Sequence, residues 1–321
     1  MDMIFRIAAS AALALTAVLA CAQSYPVKPI RIVIGFPPGG GIDIVGRLLA
    51  PKLSESLGQQ VVVDNRAGAN GIIAAELVAK TAPDGYTIFF GTTGNLSVNP
   101  ALYSTLPFSI ERDFVPLTQT STVPFLLYVH PALPTRTLGE FIALAKANPG
   151  RMNYYSSGNG SLPHLSGELL NTRAGLKTIH VAYKGSAPGM TDLIGGHVQF
   201  GFDAAAIGLP HVKAGKLRAL ATTGKTRLSF MQDVPSANET LPGFEVVNWY
   251  GMVLSAGTSR DVVTRLHTEI VKAMNIPDVR EKLIGLGTEP VGSTPEEFGA
   301  FMKSETGKWG RVIKSANIRA D

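Results

Sequence analysis

The feature that most constrains this chain is a unit that occurs five times: an apolar β-like run, a loop of Gly, Ser and Thr, then a helical pattern. Residues 30–35 lead into Phe36-Pro37-Pro38-Gly39-Gly40-Gly41-Ile42-Asp43, 61–63 into Arg66-Ala67-Gly68-Ala69-Asn70-Gly71, and 87–90 into Gly91-Thr92-Thr93-Gly94-Asn95. Residues 152–155 lead into Ser156-Ser157-Gly158-Asn159-Gly160-Ser161, and 179–182 into Tyr183-Lys184-Gly185-Ser186-Ala187-Pro188-Gly189. In parallel α/β sheets such loops gather at the carboxyl ends of strands, where ligands bind. Each offers backbone N–H groups at a helix N-terminus, which suits an anion. No set of groups able to perform chemistry accompanies them. That points to a binder.

The N-terminal residues read as an export signal. Arg6 precedes an apolar stretch over 8–20, the length of a signal h-region and too short to span a membrane. Ala20-Cys21-Ala22 is an A-x-A cleavage site that would leave Gln23 first, while Val18-Leu19-Ala20-Cys21 resembles a lipoprotein box in which Cys21 is lipidated and kept. Both place the protein outside the cytoplasm. Cys21 is the only cysteine, so the mature domain is expected to fold without a disulfide, which a chain of this length can do. The net charge of +5 is spread over Lys and Arg residues of which no two are adjacent. A mildly positive surface that attracts small anions fits better than a nucleic-acid face.

Strand and helix patterns alternate from Tyr25 to about 123, and 123–129 reads as a buried strand ended by Pro131 and Pro134. A second α/β block follows, with helices over 137–148, 162–174 and 189–195 and strands over 198–202 and 217–222. Thr137 and Glu140 have capping-box spacing. Residues 227–243 look loop-like, 244–254 return to strand character, and 262–274, 277–286 and 294–316 read as helices. Two long crossing segments, near 123–130 and 244–256, imply two lobes around a cleft. The expected division is a signal peptide over 1–22, one lobe over 23–122 plus 247–321, and the other over 123–246.

Enzymatic alternatives fit poorly. The glycine run followed by Asp64 mimics a dinucleotide-binding fingerprint, but its third glycine is missing and Asp43 sits where a pyrophosphate would lie. Ser161 and Ser186 each follow a glycine directly, so neither forms G-x-S-x-G. Ser161 and His164 are one helical turn apart, as a nucleophile and base or as a helix N-terminal serine with a packing or ligand-facing histidine. The six histidines show no H-x-x-x-H or H-x-H spacing, and there is no C-x-x-C. Asp203 either faces the cleft or caps the next helix. Lys184 is a loop cation or a ligand contact, Phe36 a stacking ring or a loop cover, and Trp249-Tyr250 a packing pair between lobes or a ligand contact.

Taken in order, the motifs resemble the Bug (Bordetella uptake gene) family, periplasmic solute receptors of tripartite tricarboxylate transporters. The matching stretches are Tyr25-Pro26-Val27-Lys28-Pro29-Ile30-Arg31, Pro38-Gly39-Gly40-Gly41-Ile42-Asp43, Asp64-Asn65-Arg66-Ala67-Gly68-Ala69-Asn70-Gly71 and Pro83-Asp84-Gly85-Tyr86-Thr87. Later come Ser157-Gly158-Asn159-Gly160-Ser161-Leu162-Pro163-His164-Leu165, Tyr183-Lys184-Gly185-Ser186-Ala187-Pro188, Gly215-Lys216-Leu217-Arg218-Ala219-Leu220-Ala221, Trp249-Tyr250-Gly251 and Ala256-Gly257-Thr258.

The resemblance implies an α/β, type II periplasmic-binding-protein (Venus-flytrap) fold: two α/β lobes joined by two crossing segments, with a small carboxylate held largely by backbone amides and water. By motif, Phe36, Gly39, Gly40, Gly41, Thr92 and Thr93 would contact ligand from the first lobe. Ser157, Gly158, Gly160, Ser161 and His164 would do so from the second, with Tyr183, Lys184 and Asp203 around the far end. It implies no cofactor, no metal, no catalysis and no nucleic acid. The expected protein is a periplasmic monomer, partnered by a carboxylate and by the membrane subunits of a transporter. A sensing receptor for a membrane sensor kinase and a hydrolase using Ser161 and His164 are the alternative readings. Ile42 stands where a small or hydroxylated residue is usual, and Ser255 and Ser259 where prolines are common.

Overall fold

The computed structural model describes residues 25–228, 231–315 and 318. The signal segment over 1–22, with Cys21, and Gln23 lie outside the described residues. The strands are β1 (Ile30–Ile34), β2 (Val61–Asn65), β3 (Thr87–Thr92), β4 (Phe114–Val129), β5 (Asn153–Ser156), β6 (Ile179–Ala182), β7 (Phe200–Ala204), β8 (Arg218–Thr222), β9 (Val247–Ser255) and β10 (Glu289–Pro290). They run in the order β2-β1-β3-β9-β4-β7-β5-β6, with β8 and β10 also paired to β4.

β1 pairs parallel with β2 and β3, and β5 parallel with β6 and β7. Helices therefore cover both sheet faces, which is why Ile32, Val33 and Ile34 of β1 are all buried instead of alternating. Ile34 and Phe90 pack in one core with Leu49 and Leu53 of the helix Gly41–Leu57. Each such side chain contributes roughly 1.5–3 kcal/mol on burial.

The antiparallel strands β4 and β9 join the two halves. Residues 114–124 of β4 pair with β9, and residues 125–129 pair with β7. The change of sheet falls at Pro124, whose missing N–H makes it a natural break in a ladder. Thr223 ties both crossings together there: Phe125 N–H donates to its Oγ1 at 2.9 Å, Val246 N–H to its carbonyl at 2.9 Å, and its own hydroxyl donates to the Val246 carbonyl. The fold is thus two α/β lobes joined by two crossing segments.

The first crossing strand begins at Phe114, well before the expected 123. Residues 118–121 are Thr, Gln, Thr and Ser, with no apolar signature, yet they are buried. Distant partners satisfy them: Thr118 Oγ1 donates to the Ser293 carbonyl at 2.7 Å, and Thr120 Oγ1 to the Tyr250 carbonyl at 3.1 Å. The return strand starts at Val247 and not 244. The helix Leu138–Ala147 carries the expected Thr137–Glu140 capping box. A short helix, Ala237–Thr240, interrupts the stretch read as loop. The C-terminal helices are Arg260–Asn275, Pro277–Gly285 and Pro295–Ser315. On the last of them Glu305 Oε2 accepts from both tryptophans, Trp249 Nε1 at 3.3 Å and Trp309 Nε1 at 3.1 Å.

Candidate functional site

The helix after β1 starts at Gly41, and the helix after β6 is Ser186–Ile194, starting before the expected 189. Both begin directly on their loops, so the loop amides are first-turn amides, which a helix leaves without internal partners. The helix Leu162–Ala174 opens on the same space. These three amino-ends, with Asp203 at the end of β7, surround a cavity of about 50 Å³. Its lining includes Phe36, Gly40, Gly41, Thr92, Ser157, Ser161 and Asp203 of the expected site.

The remaining expected residues lie behind or beside this cavity. Gly39 N–H donates to Asp43 Oδ2 at 2.9 Å, and Thr93 Oγ1 accepts from Trp249 N–H at 2.9 Å. His164 Nδ1 accepts from Gly160 N–H at 3.1 Å and its ring stacks on His180 at 4.0 Å. Gly158, Tyr183 and Lys184 line an adjoining groove of about 480 Å³, which shares Phe36, Pro37 and Ser157 with the cavity and is also lined by residues 67–70 and Tyr103. Asp64 pairs with Arg31 at 3.6 Å and Arg66 at 3.0 Å, and so takes no part in either space.

Sequence reasoning gave no role to Phe125, Ser186 or Asn248, all of which line the cavity, and left Tyr250 open. Ser186 stands in the stretch Tyr183-Lys184-Gly185-Ser186-Ala187-Pro188, and its place at the first turn of its helix is the available signal. Phe125, Asn248 and Tyr250 arrive on the crossing strands, where nothing local marks them. Trp249 points the other way, against Phe298 and Phe301.

Asp203 is buried at the end of β7 and accepts from Ala204 N–H at 2.8 Å and Tyr155 O–H at 3.2 Å. Burial pushes its carboxyl up to about 6, against the lowering effect of bonds from Ser186, Ala204 N–H and Tyr155. Burial, and then Asp203, raises the Tyr155 phenol well above its usual range. Burial lowers His164, opposed by Glu168, and takes His180 down to about 3 with help from His164. These imidazoles are neutral.

Chemically the arrangement is an anion cradle. Helix N-termini supply oriented donors and a positive dipole end. Ser161 Oγ accepts from His164 N–H, the backbone amide, as a helix cap, while the His164 ring is engaged by Gly160 N–H and His180. No cluster of three metal-ligating side chains occurs among the described residues.

Known proteins match this description. The family model for the tripartite tricarboxylate transporter family receptor matches residues 45–318. BugT of Bordetella pertussis is 35% identical over 300 residues, covering 93% of this chain and 92% of its own length. Among solved structures, Rpa4515 of R. palustris with adipate is 35% identical with a TM-score of 0.90, covering 92% of this chain and 99% of its own. MatC of Rhodopseudomonas palustris, solved with bound malate, is 30% identical with a TM-score of 0.85, over 90% of this chain and 100% of its own. The three amino-ends around one cavity and these matches along nearly the whole chain lead to one conclusion: the chain belongs to the tripartite tricarboxylate transporter receptor family, whose Bug members are periplasmic solute-binding proteins.

Proposed function

We propose that the protein is an exported receptor that captures a small organic carboxylate in the cleft between its lobes and delivers it to the membrane subunits of a tripartite tricarboxylate transporter. One observation carries the reading: three helix amino-ends converge on a single small cavity, where Ser161 Oγ serves as a helix cap, while the His164 ring lies off the cavity wall and is engaged by Gly160 N–H. Such a site binds an anion and leaves it unchanged; it is not catalytic. The adipate and malate of the related structures support a carboxylate as that anion.

The ligand contacts are Phe36, Gly40, Gly41, Thr92, Ser157, Ser161 and Asp203. Gly39, Thr93, Gly160 and His164 hold the loops, and Gly158, Tyr183 and Lys184 line the approach. The lobes divide as 23–122 plus 247–321 and 123–246, because β4 changes partners at Pro124 and the chain returns at Val247. The mature receptor works in the periplasm as a monomer; no helix among the described residues is long and apolar enough to cross a membrane. Closure follows from donors on both lobes meeting one anion, so the ligand favours the closed form by its differential contacts.

The test is a thermal-shift screen of refolded, ligand-free protein against carboxylates, with the matching amides as controls. At a hundredfold excess over Kd a ligand adds about 2.7 kcal/mol, a shift of several degrees. A carboxylate is expected to shift the melt and its amide to leave it unmoved; a neutral compound acting alone would refute the anion cradle. Gly40→Asp sharpens the result. Gly40 has an ordinary φ of −79° at an N-cap, where aspartate is favoured, so the fold should survive while the new carboxylate fills the cradle and abolishes binding.

A further inference from the structure

The cavity holds more acceptor than a bare carboxylate can use. Asp203 and Asn248 are 3% and 4% exposed and both line it. Three donors already serve Asp203: Ala204 N–H, Tyr155 O–H and Ser186 O–H. A carboxylate has about four lone-pair sites, so acceptor capacity is left over. Asn248 Oδ1 is buried without a hydrogen-bond partner among the described residues. Buried polar groups are normally paired, so an orphan on the wall of a binding cavity points to a partner supplied from outside the protein.

The titratable groups facing Asp203 are Tyr128 from β4, Tyr155 from β5 and Tyr250 from β9, all kept neutral by burial and by Asp203 itself. No Arg, Lys or His lines the cavity. A plain carboxylate entering here would meet a like charge with no cation between, and would leave Asn248 Oδ1 without a donor. A hydrogen-bond donor on the ligand relieves them: an ammonium answers both, and a hydroxyl supplies a hydrogen to one of the two acceptors.

We propose that the ligand is a carboxylate carrying a hydrogen-bond donor, a hydroxyl or an ammonium, on a neighbouring carbon. The helix amides hold the carboxylate; an ammonium donates to both Asp203 and Asn248 Oδ1, and a hydroxyl donates its single hydrogen to one of them. The inference rests on the carboxylate-receptor reading and makes Asp203 the residue that sets specificity within it.

Calorimetric titration of the ligand-free protein with matched series tests it: succinate, malate and aspartate, then propionate, lactate and alanine, at pH 7.5. The best donor-bearing member of a series should bind at least tenfold tighter than its plain parent. Asp203→Asn, which keeps the side chain's shape, should cut that preference below threefold. Asn248→Ala should also reduce it, and serves if the first variant does not fold. Wild type should lose part of the preference between pH 7.5 and 5.5, as protonation of Asp203 removes an acceptor. Equal or tighter binding of the plain parents, or a preference unchanged in both variants, overturns the inference while leaving the receptor reading intact. Absence of any carboxylate binding overturns both.

Discussion

The two lobes fix their binding loops by opposite means. In the first, the loop 36–41 is held by a charge: Asp43 accepts from Gly39 N–H at 2.9 Å, Asn65 Nδ2 at 3.0 Å and Arg47 Nε at 3.0 Å. In the second, the loop 156–161 is held by rings without charge. His180 Nε2 meets Ser156 Oγ at 2.6 Å, and His164 Nδ1 accepts from Gly160 N–H. Burial alone would raise the Asp43 carboxyl, but the bonds from Arg47, Gly39 N–H and Asn65 more than offset it, and the net shift is downward. The two histidines are also shifted downward. Equal signs have different consequences here. The carboxylate is needed ionised and the imidazoles are needed neutral, so mild acid reaches the second lobe first.

The largest effect should come from wedging the lobes. A Cβ on Gly41 would lie 2.6 Å from Tyr250 Oη and 3.2 Å from Ala204 Cβ, the latter across the cleft. Gly41→Val is expected to weaken ligand binding at least a hundredfold by titration calorimetry, about 2.7 kcal/mol. The unliganded protein should melt within a few degrees of wild type. The matching change from the other side, Gly185→Ala, meets Pro37 Cδ at 2.8 Å and also forces a residue with a side chain into φ +113°. It should therefore lower stability as well as affinity. Equal behaviour of the two variants would break the comparison.

Next is the charged lock. Asp43→Ala leaves Gly39 N–H, Asn65 and Arg47 without their shared acceptor and should cost about 2–3 kcal/mol in urea denaturation. Because the folded carboxyl is shifted downward, that stabilisation is present above its ordinary pKa of 3.8 and is lost only as pH falls through the lower folded value.

The neutral lock gives the smallest effect, and it is graded. Depressed imidazole values mean the unfolded chain binds the proton first. Stability is complete above pH 6.5, the ordinary value, and declines as pH falls toward the folded value, about 3 for His180. The slope is at most about 1.4 kcal/mol per pH unit per proton. Urea melts between pH 7 and 5 should show this decline in wild type and a shallower one in His180→Gln. Because Asp203, raised to about 6, gains stability as it protonates over the same range, the decisive reading is the difference: an equal slope in wild type and His180→Gln would remove the histidines from the lock.

Much of this was legible along the chain, because local chemistry dictated it. The Gly-rich loops mark the ends of β1, β5 and β6, and the helix ends carry their own signals, such as the Thr137–Glu140 box. What was hidden is what long-range pairing creates. Asn248 and Tyr250 reach the cavity because β9 pairs Asn248 with Val123 and Tyr250 with Ser121, and no spacing near either residue encodes that. The polar run 118–121 looked unfit for a buried strand because its hydrogen-bond partners lie at Tyr250 and Ser293. Likewise the internal partners of His164, Gly160 N–H and His180, are set by the fold and not by the motif that contains it.

The shared carboxylate of Glu305 gives the molecule a one-sided optical signature. Both tryptophans of the chain donate to it, and both are 1% exposed. Indole emission therefore reports the integrity of the first lobe, and the second lobe has only tyrosines for a native fluorophore. A partly unfolded state that had lost the second lobe alone would keep nearly native tryptophan emission while its circular dichroism fell. Followed together, the two signals separate the melting of the lobes without a label.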